Sequence, residues 1–251
     1  HVGDQFGASN QHLLTKVFGW FYFSINFGSF FSTLLTPVLL KDERFGPTWA
    51  FGIPAVLMFV ATWVFWMGRH KFVHIPAGGK AFFKESFSKE SLGQVARILP
   101  VFAFMPVFWS LYDQSSSRWI LQAKEMDRVV FGYDILPAQT HAANPILVLI
   151  FIPLFTKVLY PALGRLFTVT ALRKVGIGFF VTVLSFLVPA WIEVMIGRGE
   201  TPHIYWQLLA YILLTSAEVM VYLTMLEFAY TQAPKRLKSI IMSLSLLCIS
   251  L

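Results

Sequence analysis

Charge is scarce in this sequence: 13% of its 251 residues are charged, and only 13 are Asp or Glu. Soluble domains carry about a quarter charged residues, so a chain wetted on all sides is excluded. Cysteine is nearly absent too. Cys248 stands alone in an apolar run, which rules out a disulfide framework within the chain and says nothing of redox compartment. There is no Gly-x-Ser-x-Gly elbow and no phosphate-cradling glycine-rich loop with its Lys, so neither serine-hydrolase nor nucleotide chemistry has a motif to stand on. His70 and His74 have the spacing of two metal ligands, but no third ligand accompanies them, and no metal is expected. No low-complexity tract and no short-period repeat is found.

What the chain has in abundance is apolar length. Hydrophobic residues make up 56% of it, 26 of them phenylalanine, with a mean hydropathy of +0.64. Apolar runs lie near residues 18–40, 49–67, 98–112, 143–163, 175–196 and 208–230. Most reach the length of about 20 residues that a helix needs to cross roughly 30 Å of hydrocarbon. The run at 98–112 is short, and its helix is expected to continue through Leu121. The reading is an all-α integral membrane protein. A seventh run opens at Ser239 and stops at Leu251, and the polar start at residues 1–16 has no signal peptide, so the spans are expected to belong to a larger bundle with earlier helices.

The net charge of +7 does not imply nucleic acid, because the basic residues sit in loops between spans and report topology. Fourteen of the 20 Lys and Arg fall on one side of the alternating loops; Lys41, Arg44, Arg118, Lys124, Arg128 and Arg198 fall on the other. By the positive-inside rule the start of the chain and the loops after Met67, Leu163 and Tyr230 are cytoplasmic. Residues 69–94 form the one long polar break on that side and divide residues 1–68 from 95–251. Residues 113–142, outside, are expected to extend the third span as a helix and then to turn near Pro137.

The polar residues inside the spans are ordered. Tyr22, Asn26, Ser29 and Thr33 stand at i, i+4, i+7, i+11 and make one stripe of a helix, while Ser24, Gly28 and Ser32 make a small-residue stripe suited to close packing. Tyr211, Thr215, Glu218 and Tyr222 repeat the first spacing. An acid at the centre of a spanning helix costs roughly 2.5–3.5 kcal/mol, so Glu218 reads as a site, with a structural ion pair as the alternative. Apolar surroundings favour the neutral form of a carboxyl and a cation its charged form, so Glu218 suits proton uptake or the holding of an amine. For Asn26 the alternatives are interhelical glue or ligand contact. Asp113, with Trp109 one turn before it, is either a site residue or an interfacial one. Asn144 precedes Pro145 and is placed to satisfy backbone or to touch a ligand. Asp113 and Asp134 each follow a Tyr, but an intramembrane hydrolase needs two facing carboxylates at membrane depth, and Asp134 is in an outside loop.

The stretches Gly3-Asp4-Gln5-Phe6, Phe21 to Ser29, Trp109-Ser110-Leu111-Tyr112-Asp113-Gln114, Asn144-Pro145, Tyr160-Pro161 and Leu226 to Lys235 resemble, in order, the proton-dependent oligopeptide transporter family of the major facilitator superfamily. The resemblance implies a twelve-helix fold of which this chain supplies the fifth to tenth helices and the start of the eleventh. It implies a proton-coupled symporter of di- and tripeptides in the cytoplasmic membrane, working by alternating access, with the proton as coupling ion and no other cofactor. A same-fold carrier of nitrate or another small solute is the runner-up. Under the resemblance Glu218 holds the peptide amino terminus with Asn144, Asn26 contacts the peptide backbone beside Tyr22, Trp109 and Gln114 line the cavity, and Asp113 and Arg97 serve proton coupling or gating. Thr156 stands where many relatives carry an acid able to pair with the residue matched by Arg97, and Met225 where a glycine is common. The short break at 69–94 and the short loop after Gly197 suggest a compact prokaryotic form.

Overall fold

The computed structural model describes residues 5–6, 13–41, 43–44, 46–73, 79, 87–225, 228 and 238–250; the side chains at 14–16, 18–19, 90, 94, 97, 238–239, 242 and 250 lie outside the description. Residues 74–78 and 80–86 of the 69–94 break and most of the Leu226 to Lys235 motif also fall outside it. The chain divides into two compact units, His1–Ala77 and Gly78–Leu251. Six stretches are long and apolar enough to cross a membrane: Trp20–Lys41, Gly46–Gly68, Ser91–Lys124, Pro137–Gly164, Ala171–Gly197 and Tyr205–Leu223. They coincide with the six runs read from hydropathy.

The first unit is a pair of helices, α1 (Leu14–Lys41) and α2 (Gly46–Gly68). In hydrocarbon a hydroxyl or amide must find a partner, and here the nearest is the helix's own carbonyl one turn back. Ser24 donates to Trp20 O at 2.9 Å, Asn26 to Tyr22 O at 3.0 Å, Thr33 to Ser29 O at 2.8 Å and Thr62 to Met58 O at 2.8 Å. At the i, i+4 period Phe23 stacks on Phe27, and Phe27 meets Phe31 edge-on. In α2 only Ala50 is buried, and the exposed Phe51, Phe59 and Phe65 suit a lipid or protein neighbour rather than water. A Cβ on Gly28 would meet nothing within 4 Å, so the expected small-residue packing stripe closes on no neighbour among the described residues. The Gln5 amide clamps Val73, accepting from its N–H at 2.8 Å and donating to its carbonyl at 3.3 Å.

The third span, read from sequence as one helix, is broken. Ser88 caps α3 (Lys89–Phe102), α4 follows (Met105–Tyr112), then a 3-10 turn at Asp113–Ser116 and α5 (Arg118–Lys124). Pro100 and Pro106 flank the first break, each removing a helix N–H. Beyond α5 a two-residue hairpin, β1 (Val129–Val130) against β2 (Tyr133–Asp134), turns through Phe131 (φ 49°) and Gly132 (φ 84°), positive at both centres as tight hairpins require. Strands this short carry no period, and the sequence reading missed them. A 3-10 turn, Pro137–Ala142, leads into α6 (Ala143–Leu154), a π turn (Phe155–Leu159) and α7 (Tyr160–Gly164). Then come α8 (Ala171–Gly197), α9 (Tyr205–Glu218) with a second π turn (Val219–Leu223), and α10 (Lys238–Ser250).

Four clusters pack these helices. Phe102, Met105 and Phe108 meet Val175, Ala217, Val221, Met225, Ile241 and Cys248, and here Met225 fills the centre of a core. Trp119 packs with Ala210, Tyr211 and Leu214; Ala123 and Met126 pack with Ile192 and Ile204. The two π turns meet through Phe155, Val219 and Met220. Buried amides tie the far ends together. Gln207 donates to Trp119 O at 2.8 Å, and Gln122 donates to Pro189 O at 2.9 Å and to the Glu193 carboxylate at 3.0 Å. Such bonds serve as interhelical glue where water cannot compete.

Candidate functional site

Glu218 ends α9 where the helix loosens into a π turn, a distortion that recurs at functional sites because it breaks the regular carbonyl ladder. It is 8% exposed and nevertheless carries an acid. Asn144, in the first turn of α6 and 7% exposed, donates one amide nitrogen to Glu218 Oε2 at 2.8 Å and to Thr215 Oγ1 at 3.0 Å. The Tyr112 hydroxyl hydrogen-bonds the same carboxylate. Trp109, one turn earlier on α4, sets its ring edge-on to Tyr112, centroids 5.1 Å apart, and to Tyr222, 5.4 Å apart. Its buried indole Nε1 has no hydrogen-bond partner. Three spans therefore converge on one acid.

Among the described residues no Lys, Arg or His pairs with Glu218. The structural ion pair weighed from sequence is thus not formed among the described residues. A carboxylate given two neutral donors and no cation is arranged to receive a positive charge or a proton from elsewhere.

The expected residues fall into groups. Glu218, Asn144 and Trp109 come together with Thr215 and Tyr222 of the stripe. Asp113 is exposed at the start of its 3-10 turn, where its backbone carbonyl accepts the Ser116 and Ser117 hydroxyls at 3.0 Å each. Gln114 lies on a separate groove of about 240 Å³ with Arg118, Trp119, Gln122, Phe186 and Glu193, not beside Glu218. Tyr22 and Asn26 belong to the first unit, where Asn26 is 8% exposed and bonded within its own helix. Arg97 is on α3 with its side chain outside the described residues, and Thr156 turns its hydroxyl back to Ile152 O at 2.8 Å. Of the His70 and His74 pair, His74 lies outside the described residues, and among those described no three His, Cys, Asp or Glu gather to hold a metal. Sequence reasoning missed Tyr112 as a partner of the acid. The signal was its place three residues after Trp109, on the same helix face.

Replacing Asn144 by Leu is expected to leave both Glu218 and Thr215 short of a donor. The loss should be about 1–3 kcal/mol of stability, read as a lower melting temperature in detergent. Thr215→Val, which spares the Asn144 to Glu218 bond, is expected to cost less.

The site is thus a buried acid with no cation partner among the described residues, set beside an aromatic wall in a bundle of membrane-length helices. The POT family model (PTR2) matches residues 1–89 and 86–251, so the chain belongs to the POT family. It is 36% identical over 235 residues to Peptide transporter family 1 of Drosophila melanogaster, a match covering 78% of this chain and 32% of that protein. It is 34% identical to Solute carrier family 15 member 2 of Homo sapiens, with the same coverage. Its fold superposes on the in meso crystal structure of the POT family transporter PepTSo with a TM-score of 0.85 and 38% identity, over 99% of this chain and 63% of that one. An auto inhibited POT family peptide transporter gives 0.83 and 33%, over 98% and 62%. The chain thus spans about a third of the length of the curated relatives it matches. These relatives are named as peptide transporters.

Proposed function

We propose that this chain supplies the fifth to tenth helices, and the start of the eleventh, of a proton-coupled symporter that imports di- and tripeptides across the cytoplasmic membrane. The start of the chain is cytoplasmic, and residues 69–94 link the two helical halves. Glu218 pairs with the peptide amine, Asn144 and Asn26 hydrogen-bond the peptide backbone, and Asp113 links protonation to closure of the outer side. The observation that carries the reading is Glu218 itself, buried, held by Asn144 and Tyr112 and unpaired with any cation among the described residues. The Trp109, Tyr112 and Tyr222 rings beside it offer a surface that attracts a cation, at about 0.5–2 kcal/mol per contact. A nitrate carrier would set its anion against this carboxylate, and among the described residues no Lys, Arg or His pairs with it.

The test is uptake of a labelled dipeptide into vesicles containing the full transporter, with and without an inward proton gradient. Uptake is expected to rise at least about tenfold when the gradient is imposed, equivalent to 1.4 kcal/mol or more of driving force. Equal uptake in both conditions removes the proton coupling; competition by nitrate and not by unlabelled dipeptide removes the cargo.

A further inference from the structure

The basic residues around the turn between α7 and α8 have no task in the transport reading. The span Pro137–Gly164 ends at this turn and the span Ala171–Gly197 starts from it, so residues 165–170 are held at the plane where hydrocarbon gives way to water. The turn is folded on itself: the Arg165 N–H donates to Ala162 O at 3.2 Å, and those of Leu166 and Phe167 both donate to Leu163 O at 3.0 Å. Arg165 and Arg173 are exposed and Lys174 is half-buried, while Lys157 adds a fourth cation from the π turn before α7. No Asp or Glu occurs between Asp134 and Glu193. Those two acids already face Arg128 and Arg118, and Glu193 stands near the other end of α8, roughly 30 Å from Arg173 at 1.5 Å per residue.

Two of the cations are fixed in place. Arg173 donates from Nη1 to the Thr168 carbonyl at 2.8 Å and to the Thr168 hydroxyl, and its guanidinium carbon lies 5.9 Å from the centre of the Phe167 ring. The Lys174 ammonium stands 4.3 Å over the Tyr160 ring of α7. None of the four cations forms an ion pair among the described residues. Leu166, next to Arg165, is 81% exposed, and Leu172, next to Arg173, is 54% exposed. Leucines that open cost free energy against water and none against acyl chains. Cations interleaved with exposed leucines, on a fixed turn at the end of two spans, match one neighbour in both charge and polarity. That neighbour is a phospholipid with an anionic head group, its phosphate toward the cations and its chains toward the leucines. A free phosphate or an acidic peptide would answer the charge and leave Leu166 in water.

We infer that this turn is a binding site for an anionic phospholipid, with Arg165, Arg173 and Lys174 gathering the head group and Leu166 entering the acyl region beside it. Arginine suits the task because its planar fork offers several N–H groups to one phosphate. The site goes beyond the transport reading and does not rest on it. Only the choice of leaflet does: with the loop after Leu163 cytoplasmic, the turn faces the leaflet in which anionic lipids concentrate. A lipid held by Arg165 and Lys174 ties the end of α7 to the start of α8, so its binding shows as added thermal stability.

The experiment is thermal unfolding of the full transporter in a neutral detergent, titrated with dioleoyl phosphatidylglycerol or with dioleoyl phosphatidylcholine, and with inorganic phosphate as a third arm. The anionic lipid is expected to raise the melting temperature at a concentration at least about tenfold lower than the zwitterionic one. Inorganic phosphate should give no such rise. Arg165→Gln is expected to raise the half-saturating concentration of the anionic lipid about fivefold, and Arg165→Gln with Lys174→Gln about 20-fold. Leu166→Ser should raise it at least about threefold through the lost acyl contact. Arg198→Gln, at the far end of α8, should change it by less than about twofold. Should the Lys174 variant not fold, Arg165→Glu reads the same loss, since the Arg165 side chain makes no bond among the described residues. No rise with the anionic lipid, overlapping curves for the two lipids, an equal rise with inorganic phosphate, an undiminished response in the Arg165 variants or an equal loss in Arg198→Gln each overturns the inference.

Discussion

Glu218→Gln in the full transporter is expected to cut dipeptide uptake about 100-fold or more while the protein still reaches the membrane and melts within a few degrees of wild type. Glutamine has the shape of glutamate, and its carbonyl can still accept from Asn144 Nδ2 at the observed 2.8 Å, so the helix contacts around Thr215 and Tyr112 survive. What disappears is the charge. A buried, hydrogen-bonded pair of opposite charges contributes about 1.5–7 kcal/mol, and a middle value of about 3 kcal/mol corresponds to ~100-fold in affinity. The amide also accepts no proton, so any stimulation by the gradient through this group is lost with the cargo. A peptide whose amino terminus is acetylated makes the discriminating probe. It binds the wild type poorly and the variant no worse, since neither can form the ion pair. Wild-type uptake by Glu218→Gln would show that the acid is only packing, and the functional reading of the site would go with it.

The acid was legible because burial of charge is expensive and the i, i+4, i+7, i+11 spacing of Tyr211, Thr215, Glu218 and Tyr222 can be counted without coordinates. Local chemistry needs no topology. The partners were legible only in part. Asn144 stands 74 residues from Glu218, and nothing in its surroundings pointed to this acid until the family resemblance was drawn. Tyr112 had no signal beyond its place near Trp109. The breaks in the third span were missed for another reason. Hydropathy averages over a window, and Pro100 and Pro106 are apolar enough to pass through it while each removes a backbone donor. The π turns are beyond composition altogether. One holds Thr156 and Lys157 and the other is apolar, and what they share is a packing cluster of Phe155, Val219 and Met220 between two helices.

That packing makes Gly178 the position where a small change should do the most structural damage. Gly178 lies in the first third of α8 against the end of α9, and a Cβ built on it would stand 2.6 Å from Val221 Cγ2, 3.1 Å from Met220 Cβ and 3.3 Å from the Ala217 carbonyl oxygen. Gly176, two residues earlier, meets nothing within 4 Å and should accept alanine freely. Overpacking a fitted core costs about 1–3 kcal/mol per small insertion. Gly178→Ala is therefore expected to lower the melting temperature by several degrees, and Gly178→Leu to leave no monodisperse protein on size exclusion. The backbone oxygen of Ala217 cannot rotate away, so the strain pushes α9 off α8 and carries the next residue, Glu218, away from Asn144. Val221→Ala removes the methyl that stands closest. In the Gly178→Ala background it should recover part of the lost stability, although alone it costs stability by opening a cavity. Recovery in the double variant marks the contact as the cause, and Gly178→Leu melting like wild type would mean that the two helices do not meet here at all.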